Sequence, residues 1–162
     1  MHRALTDVLQ HLIRSRMTAA LGTLHQGAPF VSMVPYAVAS DGSLVLHVSR
    51  LATHTRDMLD TPDVSLLISE SESEASEKMP QELARVTLQG RAEMLDRGSE
   101  KYTAAREVYL SRFPDAAPLF EFSDFTLSII KPASARIIAG FGQAGTVDGE
   151  ELTIALSAAT QS

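Results

Sequence analysis

The chain has 162 residues, the length of one domain, and 44% of them are hydrophobic, which is enough for a sizeable core. The absence of cysteine excludes disulfides, thiolate-bound zinc, iron–sulfur clusters and thiol catalysis, and it fits a reducing compartment such as the cytoplasm. A net charge of −6 without a Lys/Arg cluster argues against nucleic-acid binding, and no apolar run approaches the roughly 20 residues of a membrane helix.

The first half of the chain has the pattern of an opening helix and a meander of strands. Apolar residues three or four positions apart predict an amphipathic helix within residues 1–16. Alternating apolar residues bounded by turns predict strands at 17–24, 28–39 and 44–49. A short helix at 53–59 is predicted next, with Thr53 as its N-cap and with Arg56 and Asp57 facing solvent.

The second half is predicted to add four strands and one helix. The strands are expected at 64–69, 85–95, 125–130 and 135–139. A turn at Lys131-Pro132 is expected to separate the last two strands, because proline interrupts strand pairing. The helix is expected at 99–113 and is ended by Pro114.

Two segments lack a clear helix or strand pattern. The acidic stretch 69–82 is interpreted as a solvated loop, and residues 145–162 form a tail that either pairs or is loose. The short antiparallel strands, with turns about every ten residues, predict a single α+β, mostly β domain over residues 1–162. Its expected architecture is a small barrel of six to seven strands with a few flanking helices.

None of the five histidines has a histidine partner at the three- or four-residue spacing of a helical metal site, so no metal ion is expected to bind them. His54 has a more informative context, because residues 49–56 join a strand to a helix and bring hydroxyl and basic side chains to the helix N-terminus. Such a junction suits a phosphate group. An ordinary capped helix with exposed basic residues explains the same pattern, so both interpretations stay open.

No sequence pattern identifies a catalytic residue. Gly140-Phe141-Gly142 permits close approach of a ligand to the backbone, but the third glycine and the following helix of a dinucleotide-binding motif are missing. A turn at the end of a strand explains the two glycines equally well. No Ser-His-Asp order and no phosphate-loop lysine occur. A catalytic acid or base is therefore not assigned.

Several motifs in a fixed order resemble a known superfamily. The flavin-binding half of the pyridoxamine-phosphate-oxidase-like split barrels is similar to PFVSMVPY, LVLHVS, LATHTRDM and PDVSLL at residues 29–36, 44–49, 51–58 and 62–67. The next barrel strand of that superfamily is similar to LQGRA at 88–92. Its haem-utilisation branch is similar to RFP, FSDF and GFGQA at 112–114, 122–125 and 140–144.

The resemblance implies an FMN-binding split barrel in which FMN lies at the interface of a homodimer. The residues expected to bind FMN are Ser32, Met33 and Val34 along the flavin, Ser49, His54 and Thr55 at its phosphate, and Gln89 from the next strand or from the partner subunit. The pyridoxamine phosphate oxidases carry an arginine at the position of Ser32 and a lysine at that of His54.

The chain also departs from those enzymes in having no tryptophan and no matching arginine motif near its end, which argues against the vitamin substrate. Haem-utilisation relatives often have a further C-terminal domain for which this chain is too short, so haem degradation is expected to be weak or absent. The predicted function is an FMN-dependent oxidoreductase with an unassigned small-molecule substrate. The alternatives are a haem-binding or haem-degrading protein, a non-catalytic flavin-binding module, and a structural dimer that has lost the flavin.

Overall fold

The structure, a computed structural model, describes residues 3–73 and 77–159, which form four α-helices and eight strands. In chain order these elements are α1 (Arg3–Ser15), β1 (Thr18–His25), β2 (Ala28–Pro35), β3 (Ala37–Val38), β4 (Leu44–Ser49), α2 (Thr53–Asp60), β5 (Asp63–Ser69), β6 (Arg85–Met94), α3 (Glu100–Arg112), β7 (Phe125–Gly140), β8 (Gln143–Asp148) and α4 (Gly149–Ala158). Within these two ranges, no helix is long and apolar enough to cross a membrane.

The eight strands form one antiparallel sheet. Its order is β2-β1-β5-β6-β7-β4-β3, and β8 pairs with β7 outside this path. The sheet divides at β7, because β6 pairs along one edge of that strand while β4 and β8 share the other edge. The predicted mostly β, antiparallel split barrel with flanking helices is therefore confirmed.

The predicted turn at Lys131-Pro132 is wrong, because Phe125–Gly140 is one continuous strand. Proline cannot donate a hydrogen bond to a neighbouring strand, but the pairing of β6 shifts its register between Gln89 and Gly90, opposite Pro132. A Cβ atom on Gly90 would lie 2.3 Å from the carbonyl oxygen of Lys131. The missing side chain thus lets the two backbones approach closely enough for the strand to continue.

The first of two apolar clusters lies between the sheet and the helices α1 and α4. The helices contribute Leu5, Leu9, Leu12 and Ile13 from α1 and Leu152, Ala155 and Leu156 from α4. Residues 145–159, for which pairing and a loose tail were both open, therefore pair in β8 and pack through α4. Residues 160–162 lie outside the described ranges.

The second apolar cluster covers the opposite face of β4 and the first half of β7. Helix α3 and the 3-10 segment Pro114–Glu121 pack over this face. All residues from Leu44 to Val48 are buried, because β4 has a packed layer on each side. His47 lies in this second layer and stacks on Phe120, with 3.9 Å between the ring centroids.

Within its described residues, the acidic stretch 69–82 is bound to the barrel by hydrogen bonds. Glu70 accepts hydrogen bonds from the Lys78 ammonium at 2.8 Å and from the backbone N–H of Ala84 at 3.1 Å. A short 3-10 helix at Pro80–Glu82 leads into β6. The loop prediction also covers residues 74–76, which lie outside the described ranges.

Candidate functional site

The β1–β2 hairpin and helix α2 bring together the polar side chains of the candidate site. Residues opposite each other in an antiparallel pair share a face of the sheet, so the pairing of Thr23 with Phe30 and of His25 with Ala28 places these side chains on one face. Ser32 lies on the same face, two residues further along β2. Helix α2 follows β4 and packs over this face of the hairpin.

Asp57 is the centre of the hydrogen-bond network between α2 and the hairpin. Its side chain is buried, and the Thr23 hydroxyl donates to Oδ2 at 2.8 Å while His25 Nδ1 lies 2.7 Å from Oδ1. Burial alone raises the pKa of the Asp57 carboxyl, but the hydrogen bonds from His25 and Thr23 and the nearby imidazoles bring this pKa below its ordinary value. Asp57 is therefore a carboxylate at neutral pH, and His25 Nδ1–H is the donor.

His54 lies on α2 one turn before Asp57 and contacts the second strand of the hairpin. Its Nδ1 is 3.2 Å from the Ser32 hydroxyl oxygen, within hydrogen-bond distance. Burial lowers the pKa of His54 below its ordinary value, and the charge of Asp57 opposes this effect only in part. A neutral imidazole on α2 therefore faces a hydroxyl group on β2.

Of the seven residues predicted to form one site, Ser32 and His54 are joined through their side chains. Val34 is buried in the first apolar cluster, and Thr55 is wholly buried, with no hydrogen-bond partner for its hydroxyl among the described residues. The Ser49 hydroxyl donates to Asp124 at 2.9 Å at the end of β4.

Met33 and Gln89 lie on the other face of the sheet. Met33 alternates with Ser32 along β2, so its side chain points away from α2 and is 66% exposed. Gln89 pairs with Ser65 on β5, which in turn pairs with Gly22 on β1, so Gln89 belongs to the same outward face. These two residues therefore cannot share a pocket with His54 within one subunit.

Sequence reasoning missed Thr23, His25 and Asp57. It placed Asp57 toward solvent, which is wrong because the carboxylate turns inward to partners 32 and 34 residues earlier in the chain. The predicted capping role of Thr53 is also wrong, since Ala52 is the N-cap of α2 and no side chain caps it. The alternation of Thr23 and His25 on β1 was a signal that both point to one face.

Comparisons with known proteins agree on the family. The chain matches the family described as CREG, beta-barrel, over residues 6–153. Heme oxygenase HutZ of Vibrio cholerae is 33% identical over 141 residues, which cover 86% of this chain and 78% of HutZ. The chloroplastic heme oxygenase HOZ of Arabidopsis thaliana is 36% identical over 135 residues, which cover 83% of this chain and 39% of HOZ. The chain thus spans well under half of the plant protein.

Solved structures agree with this result. A heme binding protein from Mycobacterium smegmatis has a TM-score of 0.82 and 27% identity, over 98% of this chain and 62% of that chain. A Clostridium acetobutylicum protein of the pyridoxinephosphate oxidase family has a TM-score of 0.70 and 14% identity, over 94% of this chain and 99% of that chain. The second likeness shows the fold alone. The resemblance to the split-barrel superfamily and to its haem-utilisation branch is confirmed.

The expectation that FMN is the cofactor is wrong. It came from motifs shared by the whole superfamily, whereas the two curated relatives above 30% identity are both named heme oxygenases. The split barrel is common to flavin-type and haem-type proteins, so the fold could not decide between them. With a match over residues 6–153 and two such relatives, the chain belongs to the CREG beta-barrel family.

Proposed function

We propose that this protein binds haem as its cargo or substrate. The observation that carries the proposal is the identity of 36% and 33% to two proteins named heme oxygenases, across 83% and 86% of the chain. The likeness to a heme binding protein over 98% of the chain supports it.

The described residues suit haem better than a bare metal ion. They contain no cluster of three or more metal-ligating side chains, which a bare ion would need. Haem iron has four ligands from the porphyrin and needs only axial side chains from the protein. Phe30 leaves apolar surface exposed on the α2 face of the hairpin, and a porphyrin would remove such surface from water.

Haem degradation is the finer proposal, and the names of the two relatives favour it. Oxidative opening of the porphyrin consumes molecular oxygen and electrons from an external donor. The protein would contribute the binding surface, the orientation of the ring and the exclusion of water. Binding without turnover is the second candidate, which the name of the mycobacterial protein favours. The weak or absent haem degradation expected from the sequence stays a prediction.

Hemin titration of the purified apoprotein tests the proposal. We expect a Soret band that differs from that of free hemin and saturates at a fixed ratio of haem to chain. A hemin spectrum that the protein leaves unchanged would contradict haem binding. Ascorbate in air, with catalase present to remove hydrogen peroxide, then separates the two candidates. A biliverdin-type product in chromatography supports degradation, and persistence of the haem supports binding alone.

We also propose that two copies of the chain associate through the outward face of β1, β2 and β5. Val31, Met33 and Leu67 are exposed apolar residues on this face. Ala20 pairs with Met33 on one side and with Leu67 on the other, so these side chains form a continuous apolar strip. Burial of the strip against a second copy would remove it from water, and a twofold interface uses the same patch of both subunits.

A further inference from the structure

We propose that the cavity between the end of α1, β3 and α3 binds a small organic carboxylate, which accepts a hydrogen bond from the Arg112 guanidinium and packs a short hydrocarbon chain against the apolar walls. The cavity has a volume of about 490 Å³, within the range of ordinary ligand pockets. None of its lining residues lies on the β1–β2 hairpin or on α2, so this site is distinct from the candidate functional site. The inference goes beyond the proposed haem binding.

The lining of the cavity is positively charged. Arg14 and Arg112 contribute guanidinium groups, and Ser40 and Ser111 contribute hydroxyl groups. No aspartate or glutamate is among the described residues that line it. Guanidinium groups only donate hydrogen bonds, and hydroxyl groups can also donate. The lining therefore suits an anion better than a cation or a neutral ligand.

The fold uses only part of the hydrogen-bonding capacity of Arg112. Its Nη2 donates to the carbonyl oxygens of Ile13 at 3.4 Å and Arg14 at 3.2 Å, and also to that of Arg16. Nε is buried without an acceptor, and Nη1 donates to none of the described residues. No described carboxylate forms an ion pair with Arg112. A ligand carboxylate that accepts from Nη1 would supply the missing counter-charge.

The guanidinium is held in position by its surroundings. Its central carbon lies 5.2 Å from the centroid of the Tyr36 ring, over the face of that ring. Tyr36 is wholly buried, and its hydroxyl donates to the carbonyl oxygen of Ile13 at 3.0 Å. Arg112, Tyr36 and the end of α1 thus form one network. A group that is already ordered loses little conformational entropy when a ligand binds, which favours affinity.

The apolar walls indicate what kind of anion the cavity fits. Val38 on β3 and Val108 on α3 line it, and both are partly exposed. A hydrocarbon chain packed against them would remove apolar surface from water, which an inorganic anion cannot do. Because Nη2 is bonded to α1, the N–H groups that remain suit the two oxygens of a carboxylate better than the three of a phosphate. The cavity therefore fits a carboxylate with a short hydrocarbon chain.

NMR titration of the full chain with sodium octanoate tests the site. In wild type we expect saturable shifts of the backbone amides of Val38 and Val108. Acetate, which lacks the chain, and 1-octanol, which lacks the charge, should bind much more weakly.

Two variants test the role of the guanidinium. Ser111→Glu places a carboxylate beside Arg112 and should weaken octanoate binding by about 10- to 100-fold, the effect of one lost hydrogen bond to a charged group. Thr103→Glu makes the same change of charge at an exposed position of α3 outside this cavity, and it should leave the octanoate affinity unchanged. The amide spectra themselves report that both variants are folded.

The outcomes separate this inference from haem binding. Absence of shifts in wild type, or shifts confined to the outward strip of Val31, Met33 and Leu67, would overturn the site. Equal affinities for octanoate and 1-octanol, or for octanoate in wild type and Ser111→Glu, would overturn the role of the guanidinium. Hemin titration of Ser111→Glu should match that of wild type. A weaker hemin affinity in this variant would overturn the claim that the carboxylate site is distinct from the haem site.

Discussion

His47 shows how a single side chain can make the stability of the barrel depend on pH. It is 8% exposed, and neither ring nitrogen has a hydrogen-bond partner among the described residues. Phe120 stacks on the ring, and Tyr109 and Phe125 flank it. Burial, together with the positive charge of Arg97, lowers the pKa of His47 to about 4. The native protein therefore holds this histidine neutral.

Acid should destabilise the native state through His47. The unfolded chain has a histidine pKa near 6.5, so between pH 6.5 and 4 the unfolded state binds more protons than the folded state. The free energy of unfolding should fall across this window by about 3 kcal/mol, at about 1.4 kcal/mol per pKa unit. His47→Phe keeps an aromatic ring against Phe120 but cannot titrate. Urea unfolding of both proteins at several pH values measures the difference, and parallel curves between pH 6.5 and 4 would contradict the prediction.

Among the elements, the β6–β7 pair depends on one residue without a side chain. Gly90 on β6 lies where the backbone of Lys131 and Pro132 on β7 approaches β6 closely. This contact lets β7 continue through a proline. Proline inside a strand is otherwise confined to edges and bulges. The continuity of β7 is therefore a property of the pair of strands and cannot be derived from the sequence of β7 alone.

Gly90→Ala should destabilise the protein by about 1–3 kcal/mol, the usual cost of an added group in a packed site. The new Cβ would meet a backbone carbonyl oxygen, which cannot rotate away as a side chain can. Gly98→Ala is the matched control, because a Cβ there meets no atom within 4 Å and the backbone is not in a left-handed conformation. Chemical denaturation compares the two variants. Equal free energies of unfolding for the two variants would show that β7 shifts at Pro132 to admit the new Cβ without loss of stability.

The sequence predicts those elements whose pattern is local. Alternation and helical spacing located α1, β5 and α3 to within one or two residues, because each buries the side chains of its own periodic face. The bounds of β4 were also predicted, although both faces of this strand are buried. Asp57 was misplaced, since its partners lie on a strand more than 30 residues away. The continuity of β7 was missed, and the cofactor was wrongly expected to be FMN, for related reasons. The first depends on a contact with β6, and the second on side chains that differ among proteins of one fold.

At the scale of the whole molecule, the outward strip of Val31, Met33 and Leu67 is the surface through which we expect two copies of the chain to associate. Met33→Glu would place a charge on this strip without disturbing either apolar cluster, because Met33 is 66% exposed. Light scattering should give the mass of a dimer for wild type and a lower mass for Met33→Glu, since burying an unpaired carboxylate is costly. Met79→Glu makes the same chemical change at another exposed methionine and should leave the dimer intact. A wild-type monomer at micromolar concentration would refute the proposed association.

The position of β7 between the two halves of the barrel also governs how the protein opens. Its first residues pair with β4, its last with β8, and most of its length with β6. At residues 128–130 and 134–138 a strand lies on each edge of β7, so the backbone there is shielded from solvent on both sides. Native-state exchange of deuterium should therefore be slowest at residues such as Ile130 and Ile137, at a rate set by global unfolding. Because this strand contributes side chains to both apolar clusters, the two clusters should lose protection together as one cooperative unit.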